Sequence, residues 1–201
     1  MIKGIIFDLD GTLVTSSLDF AMMKAQLGCQ REDDLLEFVS SLPSPYMREE
    51  AMDLIRQHEL QDANQCTFIP GAKNAVDTLH QRGFKLAIVT RNFSKAAQIK
   101  LQRCNMPIDI VVTRDDAPAK PDPSALLCIA DRWKIARSEC IYVGDYLYDI
   151  QAAHNADMHA CFFAPHALPD YANQADLIFT DWEQFAEMVE QLNLKTLHQL
   201  A

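Results

Sequence analysis

The chain has 201 residues, of which 49% are hydrophobic, enough to bury the core of one main domain with a small insertion. Its 18 lysines and arginines are outnumbered by 28 aspartates and glutamates, and the resulting net charge of −10 argues against a nucleic-acid polymer or an anionic membrane as partner, because phosphate surfaces attract a basic footprint. Six cysteines without a Cys-x-x-Cys spacing point to reduced thiols in a cytoplasmic protein, and six histidines without a His-Glu-x-x-His pattern argue against zinc chemistry. Met1-Ile2-Lys3 runs straight into the first strand, leaving an apolar stretch too short for a secretory leader, and no apolar run is long enough to cross a bilayer. The chain carries no signal for an oligomeric state.

Ile5, Ile6 and Phe7 read as a buried strand that ends in Asp8-Leu9-Asp10-Gly11-Thr12. In an open parallel sheet ligands bind beyond the carboxyl ends of the strands, so Asp8 is delivered to a crevice while Gly11 lets the chain curl away. A carboxylate in that position can bind a divalent cation and attack phosphorus, and the second, at Asp10, is left for proton transfer. Between Leu13 and Phe68 the strand–helix alternation stops, and three helical segments follow at 18–27, 33–42 and 46–61, bounded by the polar Thr15-Ser16-Ser17 and the punctuating Ile69-Pro70-Gly71. Leu18, Met22, Met23 and Leu27 form a stripe that fits a substrate-facing surface or, more commonly, a helix core.

From residue 69 onward strands and helices alternate. Helices are expected over 72–82, Ser94–Cys104 with Ser94 as cap, Ser124–Trp133, 150–156 and 182–192. Strands are expected over 85–90, 108–112, 140–145, 160–163 and Leu177–Phe179, an order that implies an α/β protein with a three-layered, Rossmann-like parallel sheet. Helix starts after Asn92, Pro121 and Asp145 would turn positive dipole ends toward the crevice that holds Asp8. Thr90 ends one strand, Lys120 precedes a helix, and Gly144-Asp145 ends another strand with Asp149 four residues on. In isolation Thr90 reads as a strand-end hydroxyl and Lys120 as a surface lysine. Asp115 and Asp116 read as a charged turn at the sheet edge.

In this order, Asp8/Asp10, Thr90, Lys120 and Gly144-Asp145 with Asp149 resemble the four motifs of the haloacid dehalogenase superfamily, spread over nearly the whole chain. Phe68-Ile69-Pro70-Gly71-Ala72, Leu79, Gly83 and the strand to Thr90 are similar to its phosphoglycolate-phosphatase-like branch. The resemblance implies a core of residues 1–14 and 69–201 with a helical cap at 15–68, and a phosphatase that hydrolyses a small phosphorylated metabolite through an aspartyl phosphate on Asp8. It implies Mg²⁺ held by the Asp8 side chain, the Asp10 carbonyl and Asp145, with Asp149 supporting or joining them. Asp10 is then acid and base in turn, while Thr90 and Lys120 bind the phosphoryl group. Arg91 fits a second anionic group on the substrate, a solvated cation or a cap contact, and Asn92 fits a phosphate contact or a turn. A phosphomutase of the same family and a phospho-acceptor signalling module are the alternatives. Asp10 disfavours a dehalogenase, which needs no proton donor there.

Overall fold

The computed structural model describes residues 1–199. Among them are six strands, β1 (Gly4–Phe7), β2 (Lys85–Val89), β3 (Ile110–Val112), β4 (Cys140–Gly144), β5 (His159–Phe163) and β6 (Leu177–Phe179), and eight α-helices. The helices are α1 (Phe20–Leu27), α2 (Leu35–Ser41), α3 (Pro45–Ala63), α4 (Ala72–Gln81), α5 (Ser94–Cys104), α6 (Ser124–Trp133), α7 (Leu147–Asn155) and α8 (Phe185–Gln199). The strands form one sheet in the order β3-β2-β1-β4-β5-β6, with every neighbouring pair parallel. Strand alternation divides the core between the two faces of this sheet. Ile5, Phe7, Ile88, Ile141 and Val143 pack with α4, α5 and α8, whereas Ile6, Ala87, Cys140 and Tyr142 pack with α6 and α7. The three-layered α/β architecture expected from the alternation is the one observed.

Most elements begin or end within a few residues of expectation, and two of the differences have a clear physical reason. Helix α7 begins at Leu147, earlier than its apolar pattern suggested, because the Asp149 carboxylate accepts the Tyr146 backbone N–H at 3.0 Å and so stabilises the first turn. Ser94 is the first helical residue of α5 and not its cap; its N–H is satisfied by the Asp115 carboxylate at 2.8 Å. Asp116 likewise accepts from the Thr113 N–H and hydroxyl, so both acids of that turn are structural acceptors.

Helices α1–α3 lie between β1 and α4 in the chain and enclose a separate cluster of Met23, Cys29, Leu35, Val39, Ala51 and Ile55. Met23 belongs to this core, with Leu18 and Leu27 packed against it, while Met22 is exposed. The outgoing and returning connections run side by side, with the Thr15 N–H donating to the Thr67 carbonyl at 2.8 Å and Val14 bridged to Phe68. Helix α3 reaches the main sheet through Glu59, whose carboxylate pairs with Arg114 at 2.5 Å with both side chains buried. Burial raises the Glu59 carboxyl, and Arg114 opposes that shift. Arg114→Met leaves a buried acid without its cation and is expected to cost about 3 kcal/mol. Adding Glu59→Gln should recover most of it. Urea unfolding of the single and double variants measures this, and a cost no larger than that of an exposed arginine would mean the pair does not fasten α3 to the sheet.

Candidate active site

The strand order reverses between β1 and β4, which lie side by side with Phe7 opposite Val143. Chains leaving adjacent strands in opposite directions open a crevice at their carboxyl ends, and both strands end there in an acid. The Asp8 N–H extends the ladder by donating to the Val143 carbonyl at 2.8 Å, which fixes the aspartate against β4. Gly11 then turns the chain at a φ of 74°, and a Cβ there would overlap the Asp145 carboxylate. Gly144 is equally constrained, since a Cβ would collide with Asp149. The two glycines let acids from different loops approach the same point.

Asp8, Asp145 and Asp149 each present a carboxylate oxygen, and these oxygens lie within 4.8 Å of one another. Thr12, fully buried, donates its hydroxyl to Asp145 at 2.9 Å. Lys120, 5% exposed, places its ammonium 2.8 Å from Asp8 and 2.6 Å from Asp149. Asp149 also accepts the Tyr142 hydroxyl at 3.1 Å, so its two oxygens serve Lys120, Tyr142 and the Tyr146 N–H. Burial disfavours the charged lysine, but Asp149 and Asp8 outweigh burial and hold Lys120 above the ordinary lysine pKa. The acids behave differently. Burial lifts Asp8 to about 8 against the pull of Lys120, with Asp149 and Asp145 adding to the rise. Burial together with Asp149 lifts Asp145 to about 7. One ammonium among three carboxylates, Asp8 and Asp149 buried and Asp145 half-buried, leaves negative charge in excess. A hard divalent cation on their oxygens would relieve it, and the donor set fits Mg²⁺.

Asp10, two residues from Asp8, turns its side chain elsewhere. Its carboxylate lies outside the three-acid cluster, one oxygen accepting from Lys100 and the other from the Asn92 amide. Burial raises the Asp10 carboxyl above its ordinary range, with Lys100 working against it. The Asn92 amide also donates to the Thr90 hydroxyl at 2.9 Å, so Asn92 links the end of β2 to Asp10. Thr90 and Asn92 are both buried, 4% and 3% exposed. Arg91 points to the inserted helices, where its guanidinium binds both Asp34 oxygens at 2.8 and 2.6 Å, lies 4.8 Å from the Tyr148 ring centre and donates to the Lys120 carbonyl. Of the three placements open to Arg91, the structure adopts the contact with the inserted segment. Burial opposes ionisation of Asp34, but Arg91 and the α2 N–H groups it caps hold its carboxyl below the ordinary range.

The sequence patterns therefore led to Asp8, Asp145, Asp149 and Lys120, which the structure gathers, and to Asp10, Thr90 and Asn92, which it links. They missed Lys100, Asp62, Glu59, Arg114 and Asp34. A signal existed for three of these. Lys100 shares the buried face of α5 with Ala96, Ala97 and Cys104, and Glu59 and Asp62 continue the buried stripe of Ala51 and Ile55 along α3. A charged residue at helical spacing within an apolar stripe needs a buried partner.

Residues 5–163 match the profile of a protein family described as haloacid dehalogenase-like hydrolase. The chain belongs to the haloacid dehalogenase-like hydrolases. Among curated relatives of this hydrolase, a haloacid dehalogenase-like hydrolase domain-containing protein of Arabidopsis thaliana is 33% identical over 74% of the chain, which spans 64% of that protein. A phosphoglycolate phosphatase of Nitrosospira multiformis is 32% identical over 82% of this hydrolase and 84% of its own length. Among solved structures, a hydrolase from Pseudomonas syringae superposes with a TM-score of 0.75 at 21% identity, covering 94% of this chain and 98% of that one, which shows the shared fold.

Proposed function

We propose that this hydrolase is a phosphatase for a small phosphomonoester, with residues 1–14 and 69–201 as its catalytic core, residues 15–68 as a cap and Mg²⁺ as its metal. The observation that carries the reading is the division of the Asp8-x-Asp10 pair, with Asp8 facing Lys120, Asp145 and Asp149 while Asp10 is held separately by Lys100 and Asn92. The first arrangement suits a nucleophile and the second a proton carrier. The phosphatase relative from N. multiformis and the family membership support the same class.

In this reading an Asp8 oxygen attacks phosphorus and the ester P–O bond breaks, while Asp10 gives its proton to the departing alkoxide. Asp10, now a carboxylate, takes a proton from the water that attacks the phosphorus of phospho-Asp8, releasing inorganic phosphate and restoring both aspartates. Lys120 offsets the charge of Asp8 and of the transferring oxygens, and Thr90 and Asn92 border the phosphoryl group. Bound to Asp8, Asp145 and the Asp10 carbonyl, with Asp149 behind or beside them, Mg²⁺ would supply the positive charge that lets an anionic nucleophile meet an anionic phosphate. The inserted helices would shut water out and select the leaving group. Free cysteines, five of six buried, are in keeping with a reducing, cytoplasmic setting, and among the described residues no helix is long and apolar enough to cross a membrane.

A panel of phosphomonoesters, with phosphoglycolate first because it names the N. multiformis relative, tests the reading. Phosphate release is expected with Mg²⁺, loss of at least about a hundredfold on chelation, and recovery when Mg²⁺ is returned but poor recovery with Ca²⁺, whose longer and looser coordination misaligns the attack. Equal turnover in metal-free protein, or no release from any ester, would contradict it.

A further inference from the structure

Lys100 is fully buried, a placement that costs heavily unless the ammonium is paired, and none of the phosphoryl-transfer roles above uses it. Its ammonium donates to Asp10 and, at 2.6 Å, to Asp62 near the end of α3, with the Asn92 side-chain oxygen at 3.5 Å. Asp62 in turn accepts the Ser17 backbone N–H at 2.5 Å and the Ser17 and Ser16 hydroxyls at 3.0 and 3.2 Å. Ser16 and Ser17 lie on the connection that leaves the core, and Asp62 lies just before the connection that returns to it. One ammonium thus joins Asp10 to both ends of the inserted segment.

We propose that Lys100 is a positioning residue for Asp10: together with Asn92 it aims the carboxylate, and through Asp62 it makes that aim depend on where the inserted helices sit. The inference rests on the reading of Asp10 as acid and base. A carboxylate with one donor on each oxygen has a fixed orientation, and proton transfer requires a heavy-atom approach of about 2.6–3.2 Å to the leaving oxygen. With Lys100 removed, Asn92 holds only one oxygen, and the other loses both its direction and its connection to α3. Closing the inserted helices over a substrate and aiming Asp10 at the leaving group then become one event.

The test compares an alkyl phosphate, whose alkoxide needs a proton to depart, with p-nitrophenyl phosphate, whose phenolate does not, in the native enzyme with Mg²⁺ and in Lys100→Met and Asp62→Asn. For Lys100→Met, alkyl-ester turnover should fall about 30- to 100-fold with KM within about threefold, while the first-turnover release of p-nitrophenolate stays within about threefold of the native rate. For Asp62→Asn, which keeps Lys100 beside Asp10, the same selective loss should be about tenfold. If Lys100→Met does not fold, as judged by circular dichroism, Asp62→Asn decides. A merely structural role slows both substrates by the same factor; that result, or unchanged alkyl-ester turnover, overturns the proposal. Failure of the native enzyme to release phosphate from either ester would instead overturn the phosphatase reading.

Discussion

Asp8→Asn is expected to lower phosphate release by about 10⁴-fold or more while leaving the protein as stable as the native chain. Removing a nucleophile outright costs losses of this order in other hydrolases. The amide matches the carboxylate in volume, so the strand end and the hydrogen bond from the residue 8 N–H to the Val143 carbonyl are retained. It cannot form an acyl phosphate. The same substitution removes one of three mutually repelling, clustered carboxylates, the one lifted by burial to about 8, and leaves Lys120 paired with Asp149. Stability should therefore hold or rise. Phosphate release and the urea unfolding midpoint, measured on the same preparation, check both halves. Activity near that of the native enzyme would remove Asp8 from the chemistry, and inactivity accompanied by unfolding would show a structural role instead.

Asp10→Asn should produce a different defect, about 10²- to 10⁴-fold in turnover but unequal between the two chemical steps. The nucleophile and the Asp8, Asp145, Asp149 cluster remain, whereas both the proton for the leaving group and the base for water are gone. Burial, against the pull of Lys100, raises the native Asp10 carboxyl, which suits a group that must hold a proton before giving it away. With an alkyl ester, phosphorylation of Asp8 should be the slow step. With an aryl ester, phosphorylation should proceed and hydrolysis should stall, so that phosphoenzyme accumulates. Acid quenching at increasing times, with each ester, reads the difference; hydrolysis of both at native rates would take the acid and base roles away from Asp10.

The parts of this site that were legible in the sequence are those that the parallel sheet itself brings together. Apolar runs such as Ile5-Ile6-Phe7 and Cys140-Ile141-Tyr142-Val143, bounded by polar or turn residues, read as interior strands, and parallel strands bring their carboxyl ends to one edge. Residues that follow such runs, Asp8, Thr90 and Asp145, are therefore delivered to the same edge of the sheet without further information. Gly11 was legible as the turn that follows the strand and Gly144 as a point of close approach; at both positions a Cβ would overlap an aspartate side chain. The first turn of α7 was hidden because Asp149 faces inward to Lys120 and Tyr142, so a polar residue occupies a buried position in the pattern.

The contacts between the inserted helices and the sheet were not legible. Asp34, Glu59 and Asp62 find Arg91, Arg114 and Lys100 only once α2 and α3 have been set at particular angles over the sheet, and helical periodicity gives a buried face without naming what covers it. All three pairs join an acid of the insertion to a base of the sheet domain. The Arg91–Asp34 pair also shows why the role of Arg91 could not be read from its place after Thr90, since its guanidinium had a local candidate partner in the substrate and a distant one in α2.

In the proposed mechanism Asp8 becomes covalently phosphorylated during turnover. This step is tested most directly by mixing the Asp10→Asn enzyme with Mg²⁺ and an aryl phosphate, quenching in acid within the first turnovers, and mapping covalent phosphate by mass spectrometry of the peptide that carries residues 4–12. Close to one phosphoryl group per chain is expected, attached to Asp8, labile to mild alkali as an acyl phosphate is, and missing when Asp8 is also replaced by asparagine. Continued hydrolysis with no covalent phosphate, or with phosphate on any residue other than Asp8, would contradict the mechanism.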